Sequence, residues 1–178
     1  MAEEQKAIWL NYLALSSVII ALCATLSTFK GGGYSTRALL NQSQASDQWA
    51  FYQAKSMKSN LYETQKQEFE LQMTALPANA PSAVRQAYQA RIDDAAKRID
   101  RYNQEKAEIE KTAKEFETAR GQSLEHGQAF GMAVIFLQLS IVLSSIAALM
   151  KKKPLWYLGL ATGAVGIVYF LNGFWLFM

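Results

Sequence analysis

The side chains that could carry a reaction are few and scattered. The chain has one histidine, His126, standing next to Glu125. Such a pair could move a proton or ligate a metal. A metal site, however, draws on three or four His, Cys or carboxylate ligands at set spacing, and no such set accompanies these two. The one cysteine, Cys23, lies inside an apolar run and has no partner for an intrachain disulfide. No serine has a histidine placed by local spacing to act as its base. The run Gly31-Gly32-Gly33 could cradle a phosphate, but a phosphate loop ends in Gly-Lys-Ser/Thr, and this one continues Tyr34-Ser35-Thr36. These residue types predict no catalytic centre, no metal and no cofactor, so the chain is expected not to be an enzyme.

The elements that hold these residues are read from charge. Ala7–Phe29, Gly127–Met150 and Pro154–Met178 contain no Asp, Glu, Lys, Arg or His. Each is long enough to cross a bilayer as a helix, which takes about 20 apolar residues. The segment before the first run is short and not basic, so that run reads as a retained span and not a signal peptide. Three transmembrane helices are therefore expected, over 7–29, 127–150 and 154–178, after a short tail over 1–6. The absence of ionisable residues in the spans argues against a proton relay or a carrier of charged substrates. Asn11, Gln138 and Asn172 are polar amides within them, expected to hydrogen-bond between helices. An oligomeric pore lined by Gln138 and serines is the alternative. Gly159, Gly163, Gly166 and Gly173 fall on one face of the third span, and Ser140 and Ser144 have matching spacing in the second. Small residues at such spacing let helices approach closely in lipid. Packing of the second span on the third is expected, with packing between subunits as the alternative.

The connection 151–153 is Lys151-Lys152-Lys153, and basic residues in short loops stay on the cytoplasmic side. This places the N-terminus and that loop in the cytoplasm and the long insert on the periplasmic side. The insert, 36–126, is expected to be a helical hairpin turning at 77–81, where Pro77 and Pro81 stand. Its downstream arm has a coiled-coil seam in alternating steps of four and three: Tyr88, Ile92, Ala95, Ile99, Tyr102, Lys106, Ile109, Ala113, Phe116. The upstream seam is read as Ala50, Ala54, Met57, Leu61, Thr64, Glu68, Leu71, Ala75. Between the first span and this arm, a hinge is expected over 30–35 at Gly31, Gly32 and Gly33. Consecutive glycines disfavour helix by about 1 kcal/mol each, and Ser35 or Thr36 would cap the helix that follows. Trp49, Phe51 and Tyr52 point in too many directions for one partner helix to cover. They are expected to contact another subunit or partner, the alternative being that they fold into the hairpin base.

The run Ala45-Ser-Asp-Gln-Trp-Ala-Phe-Tyr-Gln-Ala-Lys-Ser56, with the first span, the charged helical stretch and the basic loop, resembles domain-of-unknown-function family 4337, a bacterial membrane family. The resemblance covers essentially the whole chain and implies bacterial origin and this layout, without catalytic residues. The net charge of +3 comes largely from the lysine triplet, so there is no basic face for nucleic acid. The expected fold is thus all-α, with three transmembrane helices and a long antiparallel hairpin. The expected function is a non-enzymatic protein of the bacterial inner membrane that oligomerises and acts as a scaffold or accessory subunit. Its expected partners are membrane lipid, further copies of itself and a larger membrane complex. A channel with the hairpins forming a vestibule is the alternative.

Overall fold

The apolar runs and the charged insert fold into three helices, α1 (Ala2–Thr74), α2 (Ser82–Met150) and α3 (Lys153–Trp175). The computed structural model describes residues 2–177, with side chains from Ile8 onward. Met1 and Met178, the outer ends of the expected tail and third span, lie outside the described residues. All three helices are long and apolar enough to cross a membrane.

The breaks fall where the backbone demands them. Pro77 and Pro81 lack the N–H that would continue α1. The Pro77 carbonyl accepts from the Ala80 N–H and from Arg85 Nη2, and the Pro81 carbonyl accepts from the Val84 and Arg85 N–H groups in the first turn of α2. α2 ends with Lys151 in the left-handed region (φ 52°), while Lys152 N–H bonds back to Ala147 and Lys151 N–H to Ala148. That is the Schellman arrangement of a helix C-terminus. Pro154 then sits in the first turn of α3, where its missing N–H costs nothing.

The glycine hinge does not form. α1 runs unbroken through Gly31–Gly33, and no described glycine has a positive φ. Thr36 is mid-helix, its hydroxyl donating to the Gly32 carbonyl, so it does not cap. Gly31 explains why the helix persists: a Cβ there would lie 3.2 Å from Phe130 Cβ, so its bareness lets α2 come close. Packing on a neighbour outweighs a local propensity of this size.

The chain divides into two units. The first comprises Met1–Leu40 with Ala119–Met178. Its interior has two apolar clusters. Ile20 and Ala24 of α1 meet Ala133 and Leu137 of α2, with Ile167 and Phe170 of α3 against them. Trp9 and Leu13 meet Ala147, beside Leu155 and Trp156.

The second unit is Asn41–Thr118, built from the end of α1 and the start of α2. Its cross-contacts run from the pair Trp49–Glu117 to the pair Phe69–Tyr88. Trp49 Nε1 donates to Glu117 Oε1 at 2.8 Å, Lys55 pairs with Glu105, Tyr62 stacks on Tyr102 at 5.9 Å, and Phe69 meets Tyr88 at 6.4 Å. On α2 the residues turned inward are those of the expected seam, with Ile92, Ala95 and Ala113 buried.

On α1 the expected seam is the wrong one. Ala50, Ala54, Met57, Leu61, Thr64, Glu68, Leu71 and Ala75 are all exposed, and Ala45, Tyr52, Lys55, Ser59, Tyr62, Lys66, Phe69 and Met73 turn inward. The two sets are offset by two positions, about 200° around a helix. The aromatics Tyr52, Tyr62 and Phe69 decide between them. They have more area to cover than alanines, and they find Lys106, Tyr102 and Tyr88 opposite.

Candidate functional site at the membrane boundary

In the first unit, the bare faces of α3 glycines seat side chains of α2. Ser140 Oγ donates to the Gly159 carbonyl at 2.6 Å. A Cβ on Gly163 would lie 2.7 Å from Ser140 Oγ, and one on Gly166 2.7 Å from Leu137 Cγ. A Cβ on Gly173 would lie 2.8 Å from three ring atoms of Phe130. Ser144 is also buried against Gly159, but its hydroxyl has no hydrogen-bond partner among the described residues.

This close approach assembles an aromatic cluster where the apolar runs stop. His126 Nδ1 lies 2.8 Å from the Gly173 carbonyl. With the proton on Nδ1, it satisfies one of the last carbonyls of α3, which have no partner within the helix. The imidazole stacks on Tyr34 at 4.6 Å, and Tyr34 stacks on Phe130 at 5.9 Å. Phe130, fully buried, meets Phe170 and Phe174 edge-on, and the Lys30 ammonium lies 5.9 Å from the Phe174 ring centroid. At the opposite end of the unit, Trp9, Trp156 and Tyr157 form a second aromatic group. From Trp9 to Lys30 a helix rises about 31 Å, close to the ~30 Å of a bilayer core. The two groups fit interfacial belts.

His126 is occupied with Gly173 and Tyr34, and Glu125 lines a separate groove of about 460 Å³ with Gln128, Asn172 and Leu176. Cys23 packs against the Ile20–Leu137 cluster. Among the described residues no three His, Cys, Asp or Glu side chains come together as a metal site. On the outer side of α1, a Cβ on Gly32 or Gly33 would meet nothing within 4 Å. These glycines floor a groove of about 640 Å³ edged by Phe29, Lys30, Thr36 and Arg37.

The remaining residues singled out in the sequence fall as follows. Trp49 and Tyr52 turn toward α2, touching each other edge-on at 5.5 Å, and of the three aromatics there only Phe51 is exposed. Of the amides Asn11, Gln138 and Asn172, Asn172 is buried, whereas Asn11 and Gln138 face outward. Lys151, Lys152 and Lys153 are exposed. The sequence reading missed Tyr34, Phe130 and Phe174. The four-residue step from His126 to Phe130, which puts both on one helix face, was the available signal.

The fold thus defines a helical protein with three helices long and apolar enough to span a membrane. The chain belongs to the family described as a domain of unknown function, DUF4337, whose sequence model matches residues 9–176. No curated protein and no solved structure matches it.

Proposed function

We propose that this is a non-enzymatic protein of the bacterial inner membrane that self-assembles within the bilayer and serves as a scaffold or accessory subunit of a larger membrane complex. Gln138 carries the reading. It lies at the middle of the apolar run Gly127–Met150, yet its side chain faces outward. Its amide has two N–H donors and a carbonyl acceptor, and lipid chains satisfy none of them. A second copy supplies the same amide, donor to acceptor and acceptor to donor, an interaction of roughly 1–2 kcal/mol between membrane helices. Gly131, Ile135, Val142 and Ser145 line the same outward strip in steps of four and three, the spacing of a helix–helix seam.

The second unit supports self-assembly independently. Phe51, Met57, Leu61 and Leu71 are 56–70% exposed, and the last three belong to an outward seam of regular spacing. The opposite order of its cross-contacts supports an antiparallel, coiled-coil-like hairpin. The exposed lysines of the α2–α3 connection support a cytoplasmic loop and N-terminus, with the hairpin on the periplasmic side.

Particle mass of the purified protein in mild detergent, with cross-linking in native membranes, tests the reading. Gln138→Leu is expected to convert a multimer to single copies, and Gln138→Asn to retain it. A wild-type protein running as a single copy, or a Gln138→Leu variant of unchanged mass, refutes it. Ion flux in liposomes that Gln138→Leu abolishes would replace the scaffold by a channel.

A further inference from the structure

The groove over Gly32 and Gly33 has the chemistry of a lipid site. Lys30 and Arg37 are the only charged residues of α1 between Lys6 and Asp47. Seven residues apart, they lie on one strip of the helix, about 10 Å from each other along its axis. Gly33 stands between them, and its missing side chain leaves the space over the backbone open. Among the described residues neither cation is ion-paired with a carboxylate. The Thr28 and Thr36 hydroxyls are committed to the Ala24 and Gly32 carbonyls, so the charged donors of the groove are the Lys30 ammonium, which also lies over the Phe174 ring, and the Arg37 guanidinium. Both side chains are long enough to converge on one phosphate above Gly33, the Arg fork gripping two oxygens and the Lys acting as a point charge.

The groove is amphiphilic. Phe29, 78% exposed, borders it on the apolar side. Leu26 and Leu22, both exposed, continue the same strip back along the span in steps of three and four. This apolar track begins where the two cations end, so one ligand with a phosphate head and a hydrocarbon tail matches both parts. A free phosphate would use only the head. A zwitterionic lipid brings its own cation beside Lys30 and Arg37, where no carboxylate receives it.

We propose that this groove binds an anionic phospholipid, its phosphate held between Lys30 and Arg37 over Gly33 and one acyl chain lying along Phe29, Leu26 and Leu22. The site is independent of self-assembly through Gln138.

Native mass spectrometry of the full chain in detergent, titrated with phosphatidylglycerol against phosphatidylcholine, tests it. One retained phosphatidylglycerol is expected. Lys30→Gln and Arg37→Gln should each weaken it about fivefold, and the double variant about thirtyfold. Gly33→Leu keeps both charges but fills the groove, and should also release the lipid. Circular dichroism on each variant verifies the fold, and Gln138→Leu should leave lipid binding intact. Unchanged phosphatidylglycerol binding in the double variant or in folded Gly33→Leu overturns the proposal. So does displacement by millimolar inorganic phosphate, which would make this a free-anion site. A loss of assembly mass in Gly33→Leu with lipid retained would make the groove a helix contact instead.

Discussion

Gly166→Ala and Gly33→Ala make the same chemical change in α1 and α3 with opposite expected sign. At Gly166 the new methyl would stand 2.7 and 2.9 Å from Leu137 Cγ and Cδ2, and 3.0 Å from the Leu137 main-chain nitrogen. Comfortable carbon contacts are about 3.5–4.0 Å. The leucine side chain can yield, but the main-chain nitrogen moves only if α2 and α3 separate. Overpacking of this kind costs about 1–3 kcal/mol, against a gain of up to about 1 kcal/mol from replacing Gly by Ala in a helix. With the full gain, the net expectation is a loss of up to about 2 kcal/mol. At Gly33 the methyl meets nothing within 4 Å, so only the gain of up to about 1 kcal/mol remains. The propensity gain is common to both, so the two variants should differ by the overpacking cost, roughly 1–3 kcal/mol. Reversible unfolding in mixed micelles with increasing sodium dodecyl sulfate, followed by circular dichroism, measures both in one host. In a Leu137→Ala background the Gly166→Ala penalty should shrink without vanishing, because the main-chain contact persists. Equal stability of Gly166→Ala and Gly33→Ala would refute the close α2–α3 approach that organises the first unit.

Two buried serines provide a second contrast. Ser140→Ala removes the 2.6 Å bond to the Gly159 carbonyl and should cost about 1 kcal/mol. Ser144→Ala removes a hydroxyl without a partner and should be neutral or stabilising; the same unfolding assay ranks them. In the second unit, Lys55 and then Arg101 hydrogen-bond Glu105 and hold its carboxyl below the usual carboxylate range. A lowered folded pKa contributes stability above the ordinary carboxylate range that is lost as pH falls through the lowered value. Amide hydrogen-exchange protection around Lys55 and Glu105, taken relative to the intrinsic rate at each pH, should fall on that acid limb, and Glu105→Gln should flatten the dependence.

The three apolar runs and the breaks between helices were legible because their signals are local: the uncharged runs exceed a bilayer's thickness, and Pro77, Pro81 and Pro154 stand where the backbone must stop or start. The α2 seam was legible too, since Tyr88, Ile92 and Ile99 leave one apolar strip on that arm. α1 has two strips of equal regularity, one through Met57 and Leu61 and one through Tyr62 and Phe69. Periodicity is the same for both, so only the residues presented by α2 select the inner one. The glycine run misled for a related reason. Propensity speaks for one segment alone, whereas Gly31 is held by Phe130, distant in the chain. The boundary cluster was hidden because Tyr34, His126 and Phe174 come from three different helices.

Composition alone determined which three stretches are long and apolar enough to cross a membrane, because the cost of burying charge and breaking backbone hydrogen bonds is set residue by residue. Tertiary structure decided which face of each helix is inside. That choice left Gln138 and the Lys30–Arg37 groove outward, since the faces were settled by how closely Gly159, Gly166 and Gly173 let α3 approach α2.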